Sequence, residues 1–64
     1  MENVMFTVKM LSAYMNESIM EMAEKAGLDG YHLQQVSSGR TKMTAEDIIK
    51  LSLYTGIDPK RIQY

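Results

Sequence analysis

The chain has 64 residues, of which 45% are hydrophobic and 23% are charged, with no cysteine and a formal net charge of −1. This length accommodates one domain, residues 1–64, and the absence of cysteine excludes disulfides and cysteine-based zinc sites. Because His32 is the only histidine, we expect no metal site, and we also expect no cofactor and no small-molecule ligand. The chain lacks the roughly 20 consecutive apolar residues of a membrane span. Because residues 1–6 contain no basic residue and no long apolar stretch, we expect them not to be a secretion signal. We therefore expect a cytoplasmic protein with no membrane partner.

The N-terminal part of the chain predicts an extended arm followed by a helix. In about residues 7–15, Val8, Leu11 and Met15 follow one another at the three- and four-residue spacing of an apolar helical face. Residues 4–8 are compatible with a short strand, but we favour an extended arm. The methionines predicted to fill gaps in the core, a role that suits this flexible side chain, are Met10, Met15 and Met22.

Two further helices are predicted next, separated by a short turn. The first begins at Ser18, an N-cap residue with Glu21 at the capping-box spacing, and ends at Gly27. The second begins at Asp29 and stops at Gly39. This second helix has only two aliphatic anchors and a wide polar face. The anchors are Leu33 and Val36, and the polar residues are Tyr31, His32, Gln34, Gln35 and Ser38.

The C-terminal part predicts a longer helix and a final turn. Thr44, with Asp47 three residues later, caps the helix, and Gly56 ends it. Asp58 and Pro59 then open a last short turn. The apolar stripe of the longer helix is predicted from Ile48, Leu51, Ser52 and Thr55, widened by Ile49 and Leu53. Since alternating apolar runs are missing outside residues 4–8, we predict an all-α fold of four to five short helices.

One segment differs from the rest of the chain in its charge. Residues 30–43 contain Arg40, Lys42 and His32 but no acidic residue, although the chain as a whole is slightly acidic. A local surface of this kind can face an anion. The same uneven distribution can also arise by chance in a short chain.

Catalytic chemistry is not expected of this sequence. With no cysteine and a single histidine, the chain has no evident nucleophile–base pair, and its serines and threonines lack an activating partner. A glycine-rich phosphate loop, a metal-ligand cluster and an acidic calcium loop are also missing from the sequence. We therefore predict that the protein is not an enzyme.

The order of these elements and several short motifs suggest a family. A Ser-capped helix, a glycine-containing turn and a short polar helix follow the helix-turn-helix layout. Residues 22–29, with the sequence MAEKAGLD, resemble the LAEKxGVS core of the lambda Cro/repressor-like (XRE-type) family. Other positions where the chain is similar to the family are Leu33, Val36 and Gly39, the IIKL of residues 48–51 and the GID of residues 56–58.

The resemblance implies a lambda repressor-like helix-turn-helix domain whose motif spans about residues 18–38. It implies a small phage or prophage Cro-like regulator, a sequence-specific double-stranded DNA-binding protein of a bacterial or phage-infected cell. The helix 29–37 is expected to read bases in the major groove of a palindromic operator. The partner is expected to be a second copy of the chain, in a homodimer formed either in solution or only on DNA.

Site residues follow from the same resemblance, position by position. Glutamine can pair with adenine through two hydrogen bonds, and tyrosine offers a hydroxyl or a contact to a thymine methyl group. Glycine has no side chain and reads no base, although it allows a close approach. The base-contact positions are Gly30, Tyr31, Gln34 and Gln35, and the phosphate-contact positions are His32, Ser38, Arg40, Thr41 and Lys42.

Apolar residues suggest contact surfaces and an alternative function. Ile19 stands where many family members have a phosphate-contacting glutamine, and Met20 follows it. An exposed Ile/Met patch of this kind favours a protein contact. The alternative is therefore a protein-binding module on the same fold, such as an antirepressor or a partner that modulates a repressor. The dimer surface that we favour is the end of the chain, with Ile57, Ile62 and Tyr64.

Overall fold

The structure is a computed structural model, and it describes residues 5–63. Within this range four α-helices are followed by one 3-10 turn, which confirms the predicted all-α fold of short helices. None of the helices in the described range is long and apolar enough to cross a membrane. The elements are α1 (Val8–Tyr14), α2 (Ile19–Ala26), α3 (Gly30–Ser37), α4 (Ala45–Thr55) and the 3-10 turn (Pro59–Arg61).

The predicted capping residues set where the helices begin. At α2, the Glu21 amide donates to the Ser18 hydroxyl at 3.1 Å, and the Ser18 amide donates to the Glu21 carboxylate at 3.0 Å. Thr44 and Asp47 form the same reciprocal pair at α4. An N-cap of this kind stabilises a helix by about 1 kcal/mol. Both predicted capping boxes are therefore confirmed.

A tight turn joins α2 to α3. Gly27 adopts φ 81°, a left-handed conformation that favours glycine. The Leu28 amide then donates to the Ala23 carbonyl at 2.7 Å, which ties the chain back to the end of α2. Because Asp29 already caps α3, the second helix begins at once and packs across the first.

All four helices contribute to one hydrophobic core. The side chains of Leu11, Met22, Leu33 and Leu51 are fully buried, one from each helix. Two predictions about this core are wrong. Met10 is exposed instead of filling the core, because it lies on the side of α1 opposite the buried residues Val8 and Leu11. Ile49 and Leu53 do not widen the buried stripe of α4, since they lie on its outer face and are exposed.

The segments on either side of the helical bundle pair with each other. Phe6 forms a parallel bridge with Ile62, and the Gln63 amide donates to the Phe6 carbonyl at 2.8 Å. The Arg61 guanidinium lies 5.4 Å from the centroid of the Phe6 ring, within cation–π range. The ring of Tyr14 meets the same ring edge-on at 5.9 Å. The described part of the arm is therefore extended, as predicted, and it is held against the C-terminal turn.

Candidate nucleic-acid interface

The outer face of α3 carries a stripe of polar side chains. Tyr31, Gln34, Gln35 and Ser38 are spaced by three, four and seven residues, so they share one side of the helix. Tyr31 is 68% exposed, Gln34 and Ser38 are exposed, and Gln35 is half-buried. On the opposite side Leu33 is fully buried. The core thus anchors α3 while the polar stripe remains available for contacts.

Gly30, at the start of this helix, lies under the side chain of Met20. A Cβ added at Gly30 would lie 2.7 Å from the Met20 sulfur, closer than real contacts allow. The missing side chain therefore makes room for the thioether and lets the starts of α2 and α3 approach each other. Gly30 itself offers no side chain to a base, as the sequence suggested. Met20 remains 49% exposed beside it.

The loop after α3 leaves the helix in a direction set by hydrogen bonds. Gly39 adopts φ 83°, and the Arg40 amide donates to the Gln35 carbonyl at 2.9 Å. The Ser38 hydroxyl donates to the same carbonyl at 3.1 Å. Beyond this turn Arg40, Thr41 and Lys42 are all exposed. The structure therefore places the predicted phosphate-contact residues 40–42 next to the C-terminal end of the polar stripe.

The described lysines and Arg40 differ in their ion pairs. Lys25 pairs with Glu17 at 2.7 Å, and the Lys50 ammonium lies 2.9 Å from the Glu46 carboxylate. By contrast, Lys9, Arg40 and Lys42, as well as Lys60 in the C-terminal turn, form no ion pair with any carboxylate among residues 5–63. The cations near α3 are thus free to meet an external anion.

A groove of about 640 Å³ lies between α1 and the loop that follows α3. Its walls contain two lysines and three hydroxyl side chains, and none of the residues lining it is acidic. Val8 and Met43, both buried, form part of its floor. The remaining lining residues are Thr7, Lys9, Val36, Ser37, Gly39, Thr41, Lys42 and Gln63.

His32 makes a contact that the sequence did not predict. Its Nε2 atom lies 2.7 Å from an Asp47 carboxylate oxygen, which also accepts the Thr44 amide at 2.9 Å. The Asp47 side chain is 5% exposed and the His32 side chain 31% exposed. Burial raises the pKa of Asp47, but the hydrogen bonds from Thr44 and His32 outweigh it and hold that pKa below its ordinary value.

This pair joins α3 to the start of α4. Because its Nε2 atom is engaged with Asp47, His32 is tied to the protein interior, and we leave it out of the phosphate-contact set. The capping-box spacing already accounted for Asp47, so no sequence pattern indicated a second role for this residue. Contacts between residues 15 positions apart depend on how the helices cross, which local patterns do not encode.

A second polar cluster lies around Glu17, in the turn between α1 and α2. The Tyr54 hydroxyl lies 2.8 and 2.9 Å from the two Glu17 carboxylate oxygens, and Lys25 pairs with the same carboxylate. The hydrogen bond from Lys25, together with that from Tyr54, lowers the pKa of Glu17. The hydrogen bond to Glu17 raises the pKa of Tyr54, and burial adds to this effect. The cluster ties the turn to α2 and α4.

The predicted dimer surface at the end of the chain is wrong for Ile62. Its side chain is 1% exposed, because the bridge to Phe6 turns it into the core. Ile57 is half-buried and packs against the core, and Tyr64 lies outside the described residues.

The predicted apolar patch at the start of α2 is exposed only in part. Ile19 is half-buried against the core, whereas Met20 is largely exposed. The structure also exposes two apolar residues that the sequence assigned to the core, Ile49 and Leu53, the latter at 81%. Their position on the outer face of α4 could have been recognised only by knowing which side of that helix meets the core.

No group of three or more histidine, cysteine or acidic residues within the described range is placed to hold a metal ion. Comparison of the chain with protein families, with curated proteins and with solved structures found no match.

Proposed function

We propose that this protein is a sequence-specific double-stranded DNA-binding transcriptional regulator that acts in the cytoplasm of a bacterial or phage-infected cell. One observation carries the proposal. The polar stripe on α3 is followed directly by Arg40 and Lys42, which have no acidic partner among the described residues. Hydrogen-bonding side chains next to free cations match what bases and phosphates require.

The dimensions of α3 support this assignment. An α-helix with its side chains is about 10–12 Å in diameter, and the major groove of B-DNA, about 12 Å wide, admits a helix of that diameter such as α3. With Leu33 holding the inner side of α3 in the core, Gln34 and Tyr31 are the most exposed candidates for base contacts. Gln35 is half-buried and serves as a contact nearer the edge of the stripe. Arg40, Thr41 and Lys42 would hold the phosphates alongside.

A homodimer on a palindromic site fits the size of the molecule. The longest extent of the chain is 33 Å, and half-sites read by helix-turn-helix dimers lie about 34–36 Å apart, one helical turn. Two copies can therefore sit on successive turns of one DNA face without overlapping. The dimer forms either in solution or only on the operator.

Two substitutions test the proposal on duplexes that carry the preferred site and its single-base variants. We expect Gln35→Ala to cost about 1–3 kcal/mol and to relax discrimination at one base pair, because a bidentate base contact is lost. Lys42→Ala should weaken binding to all sequences alike, since a phosphate contact carries no sequence information. If Gln35→Ala left the affinity for the preferred site unchanged, the reading helix would be wrongly assigned.

The exposure of Met20 favours a second candidate function. As a protein-binding module on the same fold, the chain would use Met20 and the adjoining surface of Ile19 to bind a partner such as a repressor. Binding of this kind depends on apolar contact, and its affinity changes little with salt, whereas DNA binding weakens steeply as salt rises. Met20→Gln should abolish such a complex and leave DNA binding intact.

A further inference from the structure

We propose that the DNA backbone continues from α3 into the groove beside α1, where Lys9 and Lys42 hold one sugar–phosphate strand. This inference rests on the proposed function. It adds a DNA contact from α1, which lies outside the helix-turn-helix motif. The position of the groove and the charge of its lining residues both favour a DNA strand as its occupant.

The position of the groove makes it continuous with the proposed interface. Ser37 and Gly39, at the C-terminal end of α3, line one part of it, and Thr41 and Lys42 line the next. Thr41 and Lys42 are already assigned to phosphates in the proposed complex. A DNA strand that passes them therefore meets the side of the groove formed by Lys9.

The charges of the groove complement a phosphodiester. Two lysines line it, no acidic residue does, and neither lysine forms an ion pair with a described carboxylate. Elsewhere in the described chain Lys25 and Lys50 are matched by nearby glutamates, and the unpaired Lys60 is the single cation in the lining of its groove. A phosphate in the groove is attracted by both ammonium groups, and no acidic lining residue opposes that attraction.

The floor and walls of the groove suit the other parts of a nucleotide backbone. Half-buried Val36, beside the buried Val8 and Met43, offers an apolar surface on which a deoxyribose ring can pack. The hydroxyls of Ser37 and Thr41 stand on the wall as hydrogen-bond donors for phosphate oxygens. The apolar surface, the hydroxyls and the cations of the groove are thus complementary to the sugars and phosphates of a DNA strand.

The salt dependence of binding to a duplex of about two helical turns tests this inference. Each phosphate contact contributes about 0.9 to the slope of log affinity against log salt concentration. We expect Lys9→Gln to reduce the slope by about one per bound protomer, as Lys42→Gln does. Lys60→Gln is the matched control, because Lys60 is exposed and lines the separate groove with Met5 and Pro59. Its slope should stay at the wild-type value.

The outcomes separate this inference from the proposed function. If Lys42→Gln lowers the slope but Lys9→Gln behaves like Lys60→Gln, the groove does not hold the backbone and only this inference fails. Equal losses in all three variants would mean that overall charge acts and not the groove, which also overturns it. Wild-type protein that shows no salt-dependent DNA binding would overturn both proposals. Thermal unfolding of each variant checks that the exposed substitutions leave the fold intact.

Discussion

Replacing Asp47 by alanine removes the contact that joins α3 to α4. The variant lacks the buried carboxylate that is hydrogen-bonded to the His32 ring at 2.7 Å and to the Thr44 amide at 2.9 Å. It also lacks the side-chain half of the capping box that Asp47 supplies at the start of α4. The helix that carries the proposed base contacts would then lose its side-chain hydrogen bond to α4.

The size of the effect follows from these contacts. A hydrogen bond to a charged group contributes about 1.5–3 kcal/mol, and breaking a fully buried ion pair costs about 3–5 kcal/mol. Since the His32 side chain is 31% exposed, water can replace its lost partner, and we expect a loss of about 2–3 kcal/mol. For a domain of this length the total stability is about 3–10 kcal/mol. The melting temperature should therefore fall by roughly 10–20 °C.

Urea and thermal unfolding followed by circular dichroism measure this loss. Glu46→Ala is the matched control, because Glu46 lies in the same first turn of α4 but its side chain is 70% exposed. We expect the control to cost no more than about 0.5 kcal/mol. A double-mutant cycle with His32→Ala should give a coupling energy of about 1–2 kcal/mol. An Asp47→Ala variant as stable as the control, or a coupling energy of zero, would show that the contact between Asp47 and His32 does not stabilise the fold.

The pH dependence of stability provides a further check on the same residue. The pKa of Asp47 in the folded protein lies below its ordinary value of 3.8. Its contribution is therefore fully present above pH 3.8 and is lost as the pH falls through the lower folded value. The stability difference between the wild type and Asp47→Ala should narrow only in that acidic range.

Three further changes test other parts of the structure. Gly27→Ala should destabilise the fold by about 1–2 kcal/mol, because Gly27 has φ 81°, while Gly27→Asn should restore part of the loss; equal stability of all three proteins in urea would contradict this. Leu51→Ala should cost about 2–5 kcal/mol, since Leu51 is fully buried, and a cooperative melt near the wild-type temperature would argue against the assigned core. Glu17→Gln should lower the raised pKa of Tyr54 toward its ordinary value of 10.0, as followed by ultraviolet titration of the phenol, and an unchanged titration curve would remove Glu17 as the cause.

Local signals in the sequence predicted the boundaries of the helices well. Ser18 and Thr44 are the N-caps that the spacing to Glu21 and Asp47 indicated. Gly27 and Gly56 end their helices in the left-handed conformation. These features depend on residues close together in the chain, so a pattern of a few residues is sufficient to identify them.

The sequence was less informative about which face of a helix is buried. In the sequence pattern, Ile49 and Leu53 widen the apolar stripe of α4. In the structure they are exposed, because α2 and the C-terminal turn pack against the opposite side of α4. Ile62 was expected at a surface, but its pairing with Phe6 buries it. Burial of this kind is decided by contacts between distant parts of the chain.

In the candidate site, too, features set by local sequence could be predicted and features set by tertiary packing could not. The polar stripe on α3 could be predicted because it follows from helical spacing alone. The contact of His32 with Asp47 could not, since it depends on how the fold places the start of α4 beside α3. The groove between α1 and the loop after α3 also arises only from tertiary packing, which is why Lys9 was not among the predicted contacts.

A selection of bound sequences from random duplex DNA, at roughly 100 mM salt, is the most direct test of sequence-specific DNA binding by this protein. We expect enrichment of two inverted half-sites whose centres lie about one helical turn apart. Gln35→Ala should lose part of that preference at one position in each half-site. A folded sample that retains no preferred sequence would contradict the proposed function, and Met20 would become the first place to look for a protein partner.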